Sequence, residues 1–295
     1  MDPFVIGLIA VSAVLHVAWN VVFKTAGDPL TTAALSLSVG TFIIVPLGIL
    51  AWLADGAPGL PVEGLALGLL SSFVEAAYFV LLAEAYRRGD LSVVYPIARG
   101  TAPLLLVAFG VLVLGEQLTG PGWIGVGALI VGFLVLQRPW RALHAAGTGR
   151  RPSGAVVFAL ATGVAIAGYT AIDRVGTRLI DPLPYAAILW LGGSLTLIGW
   201  IALVRRGTRI RPDPAVIRSA VPGAALMLGA YVLVLYALSV APLTAVGPLR
   251  ESATVVAAAW GALRMGEAVT RGEAGRRIGG SAVIVGGAIL LAVGA

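Results

Sequence analysis

The strongest constraint on this chain is that it says the same thing twice. The stretch from Ser92 to Glu116 is an apolar run long enough to cross a bilayer. It carries one arginine, Arg99, shortly after one proline, Pro96, and it closes on Gly115-Glu116. The stretch from Thr244 to Glu267 repeats the pattern with Pro248, Arg250 and Gly266-Glu267, the glutamates and the arginines each 151 positions apart. A duplication at fixed distance points to a chain built from two similar units.

Other echoes support the duplication. Trp19-Asn20 and Lys24 stand 150 positions before Tyr169-Thr170 and Arg174. Asp28-Pro29-Leu30 stands 153 before Asp181-Pro182-Leu183. Small insertions account for the drift in spacing.

Composition identifies the solvent. Hydrophobic residues make up 59% of the 295 and charged residues only 12%, against about 25% charged in a soluble domain. A bilayer suits such a surface. Ten apolar stretches reach or approach the ~20 residues a spanning helix needs: roughly 4–23, 30–53, 64–86, 92–114, 119–137, 153–172, 183–204, 215–238, 243–264 and 274–294. Backbone groups in lipid must be paired within their own segment, so these are expected as helices. The expected fold is an all-α membrane protein of ten transmembrane helices in two five-helix repeats. Five is odd, so the second repeat enters from the opposite face and the repeats are inverted. Transporters of inverted repeats place their substrate near the midplane.

The boundaries expected are a first repeat over 1–137, a linker over 138–152 rich in arginine, glycine and proline, and a second repeat over 153–295. The first apolar stretch lacks a basic leader and a clear cleavage site, and reads as a retained helix. Glycines crowd the fifth and tenth stretches (Gly122, Gly125, Gly127, Gly132; Gly275, Gly279, Gly280, Gly286, Gly287), which suits close helix packing.

Sixteen of the twenty Lys and Arg residues fall in the odd-numbered connections. The positive-inside rule then makes those connections and the linker cytoplasmic, with both termini outward. The net charge of +6 is read as this loop charge, and no nucleic-acid partner is expected. With no cysteine, thiolate metal sites and disulfides are excluded.

Ionisable residues inside spans are costly and are functional candidates by default. They are His16, Glu75, Glu84, Arg99, Arg250 and Glu251, with Asp173 as a marginal case. Arg99 has two readings. It forms a buried pair with Glu75 or Glu84 that pins spans three and four, or it faces a cavity and binds a carboxylate with its planar fork. Pro96 removes one helix hydrogen bond a turn earlier, which suggests a bent or unwound turn. Arg250 and Glu251 form the inverted counterpart. Neighbouring residues on a helix point about 100° apart, so one is expected on the cavity and the other on a neighbouring helix. Glu75, near the middle of span three, is either a structural acid or the acid that carries a proton or meets a substrate amine. His16, Trp19 and Asn20 form a helical stripe on span one. Tyr78, Tyr95, Tyr169 and Tyr231 offer ring faces for an organic substrate or cation. The expected substrate-binding set is thus His16, Trp19, Asn20, Glu75, Tyr78, Tyr95, Arg99, Tyr169, Tyr231, Arg250 and Glu251. A phosphate-binding glycine loop and a metal-ligand cluster are both missing from the sequence, so neither an enzyme, a cofactor nor direct use of ATP is expected.

The two repeats, each closing on apolar-Gly-Glu (Gly115-Glu116 with Leu118-Thr119; Gly266-Glu267 with Val269-Thr270) before a glycine-rich helix, resemble the EamA-type branch of the drug/metabolite transporter superfamily. His16-x-x-Trp19-Asn20 also resembles some members. The resemblance covers almost the whole chain. It implies a basket-like bundle around a central cavity lined by spans 1, 3, 4, 6, 8 and 9, and a small-molecule substrate. The roles of Arg99 and Arg250 rest on the cost of burying them, not on the resemblance. The resulting expectation is a multi-pass secondary transporter of the plasma (inner) membrane that exports amino-acid-like solutes by alternating access. It is expected to act as a monomer or weak dimer, with a proton as the candidate coupling ion. Efflux of lipophilic cations, and a non-transporting scaffold or lipid scramblase, are the alternatives.

Overall fold

A computed structural model describes residues 1–25, 28–88, 91–138, 154–204, 213–250 and 271–294. Every regular element among them is a helix: α1 (Pro3–Thr25), α2 (Pro29–Ala54), α3 (Val62–Arg88), α4 (Leu91–Leu112), α5 (Gly120–Gln137), α6 (Gly154–Gly176), α7 (Pro182–Val204), α8 (Pro214–Val240), α9 (its described part 243–250) and α10 (Arg271–Gly294). Five of them, α2, α3, α6, α7 and α8, are long and apolar enough to cross a membrane. The helices α1, α4, α5 and α10 carry shorter apolar stretches.

Helix starts follow from local chemistry. Proline occupies the first turn of α2, where its missing N–H costs nothing. Asp28 caps the same helix, accepting from the Thr31 backbone N–H at 3.2 Å and from the Thr31 hydroxyl at 2.7 Å. The unwound turn expected at Pro96 does not occur: α4 runs as one helix from Leu91 to Leu112.

The packing has the symmetry the duplication implied. The tightest neighbours are α5 with α10, α3 with α6, α2 with α7, α1 with α8, α4 with α6, α2 with α8 and α3 with α7. Exchanging each helix with the one five places along leaves nearly this whole set unchanged. α2 with α7 and α5 with α10 map onto themselves, α1–α8 maps onto α6–α3, and α2–α8 onto α7–α3. The repeats therefore interlock, and among the described residues each helix of this set packs mainly on helices of the other repeat. They are also inverted. The Met1 amino group donates to Ala292 O at 3.0 Å, at the end where α10 finishes. Gly154, which opens α6, lies instead against Arg88 at the opposite end, where α3 finishes.

Small residues make the pairs possible. A Cβ on Gly125 would stand 2.6 Å from Gly287 O, and one on Gly287 would stand 2.9 Å from Gly125 O. The α5 and α10 backbones touch there directly, the close packing that the glycine-rich pattern led one to expect of each. Antiparallel α2 and α7 are tied by Thr41 Oγ1 donating to Trp190 O at 3.0 Å and by the Ser38 and Ser194 hydroxyls, 3.0 Å apart. The main apolar core lies between the two sets of helices. Tyr185, Trp190, Leu197 and Leu235 are among its fully buried members.

Candidate functional site

The helices α1, α3, α6, α8 and α9 surround a cavity at the junction of the repeats. Its wall includes Ser12, His16, Trp19, Glu75, Phe79, Met227 and Arg250, with the rings of Tyr78, Tyr169 and Tyr231. Helix geometry explains the grouping. Ser12, His16 and Trp19 are spaced by four and three, and Tyr78 and Phe79 follow Glu75 by three and four, so each set gathers on one side of its helix.

Aromatic side chains form a row through the site. Tyr78 of α3, Tyr169 of α6 and Tyr231 of α8 meet edge to face, with centroids 6.0 Å apart at each step, and Trp190 of α7 lies 5.7 Å beyond Tyr231. Such tilted contacts suit the ring quadrupoles. Arg250 stands over this row, its guanidinium carbon 5.7 Å from the Tyr169 ring and 5.1 Å from the Tyr231 ring. It donates to the Tyr169 hydroxyl at 3.0 Å and to Thr170 Oγ1 at 3.3 Å.

Behind the row is a fully buried acid. Asp173 Oδ1 accepts from the Ser71 hydroxyl at 2.5 Å and from the Tyr185 hydroxyl at 3.0 Å, and Oδ2 accepts from the Tyr231 hydroxyl. One carboxyl thereby joins α3, α6, α7 and α8 and holds the Tyr231 ring in place under Arg250. The sequence carried a usable signal for this residue. Asp173 lies four positions after Tyr169, on the same helix face.

On the opposite wall His16 and Trp19 form a unit. Trp19 Nε1 donates to His16 Nδ1 at 3.0 Å, with the rings edge to face at 4.9 Å. Arg99 Nη2 lies 2.9 Å from His16 Nε2. Trp and Arg nitrogens only donate, and a neutral imidazole accepts at one nitrogen. The ring therefore satisfies one of these two donors at a time. Ser12 Oγ donates to Ala230 O at 2.7 Å and ties α1 to α8.

Glu75 differs from all of these. Its side chain is on the cavity wall and the residue is only 9% exposed, yet among the described residues it makes no hydrogen bond and no ion pair.

Of the expected site residues, His16, Trp19, Glu75, Tyr78, Tyr169, Tyr231 and Arg250 come together around one cavity. Arg99 is buried and stands behind His16. Of the two readings of Arg99, a pair with Glu75 or Glu84 is not found among the described residues. Glu84 is taken by its own helix neighbours, with Arg87 Nη2 at 2.6 Å and Arg88 Nη2 at 2.5 Å, the i+3 and i+4 positions that share its helix face. Asn20 and Tyr95 lie on α1 and α4, but their side chains are outside the described residues, and Glu251 is wholly outside them. Ser12, Phe79 and Met227 line the cavity without having been anticipated. A serine, a phenylalanine and a methionine in apolar helices carry no burial cost that would single them out.

Comparison with known proteins bears on the same architecture. A solved protein structure superposes on 99% of this chain and 98% of its own, with a TM-score of 0.74 at 19% identity, which shows the fold. The spermidine export proteins MdtI of Citrobacter koseri and Shigella flexneri are 33% and 36% identical to it over 70 residues. That match takes in 24% of this chain and 64% of each relative. The model of the EamA-like transporter family matches twice, over residues 3–138 and 153–293. With both repeats matched and the paired helices in place, the chain belongs to the EamA-like transporter family.

Proposed function

We propose that this integral, multi-pass membrane protein exports a small amino-acid-like metabolite that meets Glu75 with its ammonium group and Arg250 with its carboxylate. The observation that carries the reading is the state of Glu75. A buried polar group without a hydrogen bond is costly, and a charged one more so. An ammonium entering the cavity brings the N–H donors that this carboxyl lacks. Arg250, from the other repeat, is on the cavity wall, and a planar guanidinium suits bidentate contact with a carboxylate. His16, Trp19, Asn20, Tyr78, Tyr95, Tyr169, Tyr231, Arg99 and Glu251 complete the proposed binding set.

Rocking of the repeats about this central site would expose it to each side in turn. We place the site in the plasma (inner) membrane, with the odd-numbered connections in the cytoplasm and both termini outside. The repeats span 1–137 and 153–295, joined by a cytoplasmic linker over 138–152. A proton on Glu75 is the proposed coupling ion, and the working unit is a monomer or weak dimer.

A second reading is export of organic cations. It draws on the names of the spermidine-exporting relatives and on the aromatic row, whose faces attract cations. The two readings separate experimentally. Thermal-shift titration of the purified protein with amino acids, spermidine, a lipophilic amine and neutral sugars reads binding to the folded state. Under the main reading amino acids stabilise the wild type, and both Glu75→Gln and Arg250→Gln abolish the effect. If amines stabilise the protein, and do so equally in Arg250→Gln, the cation reading replaces it. Undiminished amino-acid stabilisation of Glu75→Gln overturns both.

A further inference from the structure

The first copy of the Gly-Glu signature is not among the described residues that line the cavity, yet it makes a specific contact. Gly115 adopts a left-handed φ of 68° in the turn after α4, a conformation natural to glycine. Glu116 then reaches across to the second repeat. Its Oε1 accepts from the Leu243 backbone N–H at 2.7 Å and its Oε2 from the Thr244 backbone N–H at 2.8 Å. These amides open α9, where Ala245 and Val246 already donate to Pro242 O at 3.1 and 3.0 Å. The first amides of a helix lack partners within it, and the local sequence Ala241-Pro242-Leu243 offers no side chain to cap them. The cap comes from the other repeat.

Arg174 completes the arrangement. Its Nε lies 3.6 Å from Glu116 Oε1, and its Nη1 donates to Leu238 O at 2.5 Å, in the last turn of α8. An anion thus sits at the start of α9 and a cation at the end of α8, each at the helix end whose dipole favours it. The fit is close. A Cβ on Gly110 would stand 2.6 Å from Thr244 Cγ2 and 2.7 Å from Glu116 Oε2. Arg250 follows Thr244 by six residues, about 9 Å along the same helix.

We propose that Glu116 is the positioning residue for Arg250: by capping α9 across the repeat boundary it holds that arginine in the cavity and closes the cavity at this end of the bundle. Letting go of the cap frees the first turn of α9, withdraws Arg250 and opens that face. The proposal rests on the cavity being the transport site, but its test reads access and not transport.

The chain has no cysteine, so Ser12→Cys places a single thiol on the cavity wall. The full-length protein, in membrane vesicles of each orientation, is labelled with a membrane-impermeant maleimide. Adding Glu116→Gln removes a charged acceptor and is expected to raise the labelling rate about tenfold, from the face that carries the 113–119 turn and not from the other. Arg174→Gln, which leaves the carboxylate in place, is expected to act in the same direction by a smaller factor, and it serves if the first variant does not fold. An unchanged rate, or an equal rise from both faces, overturns the proposal. Absence of transport of any amino acid or amine by the wild type, with labelling still one-sided, would count against the transport reading alone.

Discussion

Asp173→Asn is the substitution whose cost the structure lets one work out. As an ionised acceptor, Asp173 holds three hydroxyls, from Ser71, Tyr185 and Tyr231. Hydrogen bonds to charged groups contribute about 1.5–3 kcal/mol, against about 0.5–1.5 kcal/mol between neutral groups. Asparagine keeps an oxygen for two of the three, so each of these weakens by about 1 kcal/mol. Its NH2 then faces the Tyr231 hydroxyl, which has to turn and accept, at a further cost of about 1–2 kcal/mol. The expected loss is about 3–4 kcal/mol. Asp173→Ala strands the Tyr185 and Tyr231 hydroxyls in a fully buried site and leaves Ser71 only the Tyr169 carbonyl, 3.4 Å away; at about 1–3 kcal/mol for each stranded tyrosine, on top of the weakened Ser71 bond, it costs about 3–7 kcal/mol. The assay is thermal unfolding of the purified protein followed by helical circular dichroism. The melting temperature should fall in the order wild type, Ser71→Ala, Asp173→Asn, Asp173→Ala. A cycle of Asp173→Asn with Tyr231→Phe should show coupling of about 1 kcal/mol or more. If Asp173→Ala melts with the wild type, the carboxyl does not tie these four helices together and the reasoning fails.

Other consequences are simpler. Gly125→Ala puts a methyl group 2.6 Å from Gly287 O, whereas the same change at Gly127 meets nothing within 4 Å. The first should lower the melting temperature by several degrees and the second should leave it unchanged or slightly raise it, since alanine favours a helix by about 1 kcal/mol over glycine. His16→Ala removes the ring that joins Trp19 to Arg99. It should cost about 1–3 kcal/mol in the same melt and weaken ligand stabilisation.

The fold was legible because bilayer burial leaves few options. Apolar length marks the spans, and an odd number of spans per repeat forces inversion. The crowded glycines of α5 and α10 mark both as close-packing helices, but not that they pack on each other. Side-chain partners were harder to read. Arg99 could be recognised as costly to bury, but not as the neighbour of His16, because nothing in either helix specifies which face meets which. Glu84 looked like a buried candidate until its bonds to Arg87 and Arg88 were seen. Spacing marks that pair as available, but not as the one that forms. Asp173 was undervalued because it lies near the end of its helix, where a charge usually reaches water. The glutamate of the Gly-Glu signature was visible as a pattern, but its reach to another helix's first amides depends on tertiary placement alone.

The central claim is that the two repeats enclose a transport site in which Glu75 meets the substrate. Counterflow in proteoliposomes tests it most directly: the wild type is loaded with unlabelled amino acid and offered labelled amino acid outside, with Glu75→Gln in parallel. The account predicts transient accumulation of label with the wild type and none with a well-folded Glu75→Gln protein. Equal accumulation by both, or no accumulation of any amino acid or amine by the wild type, would contradict it.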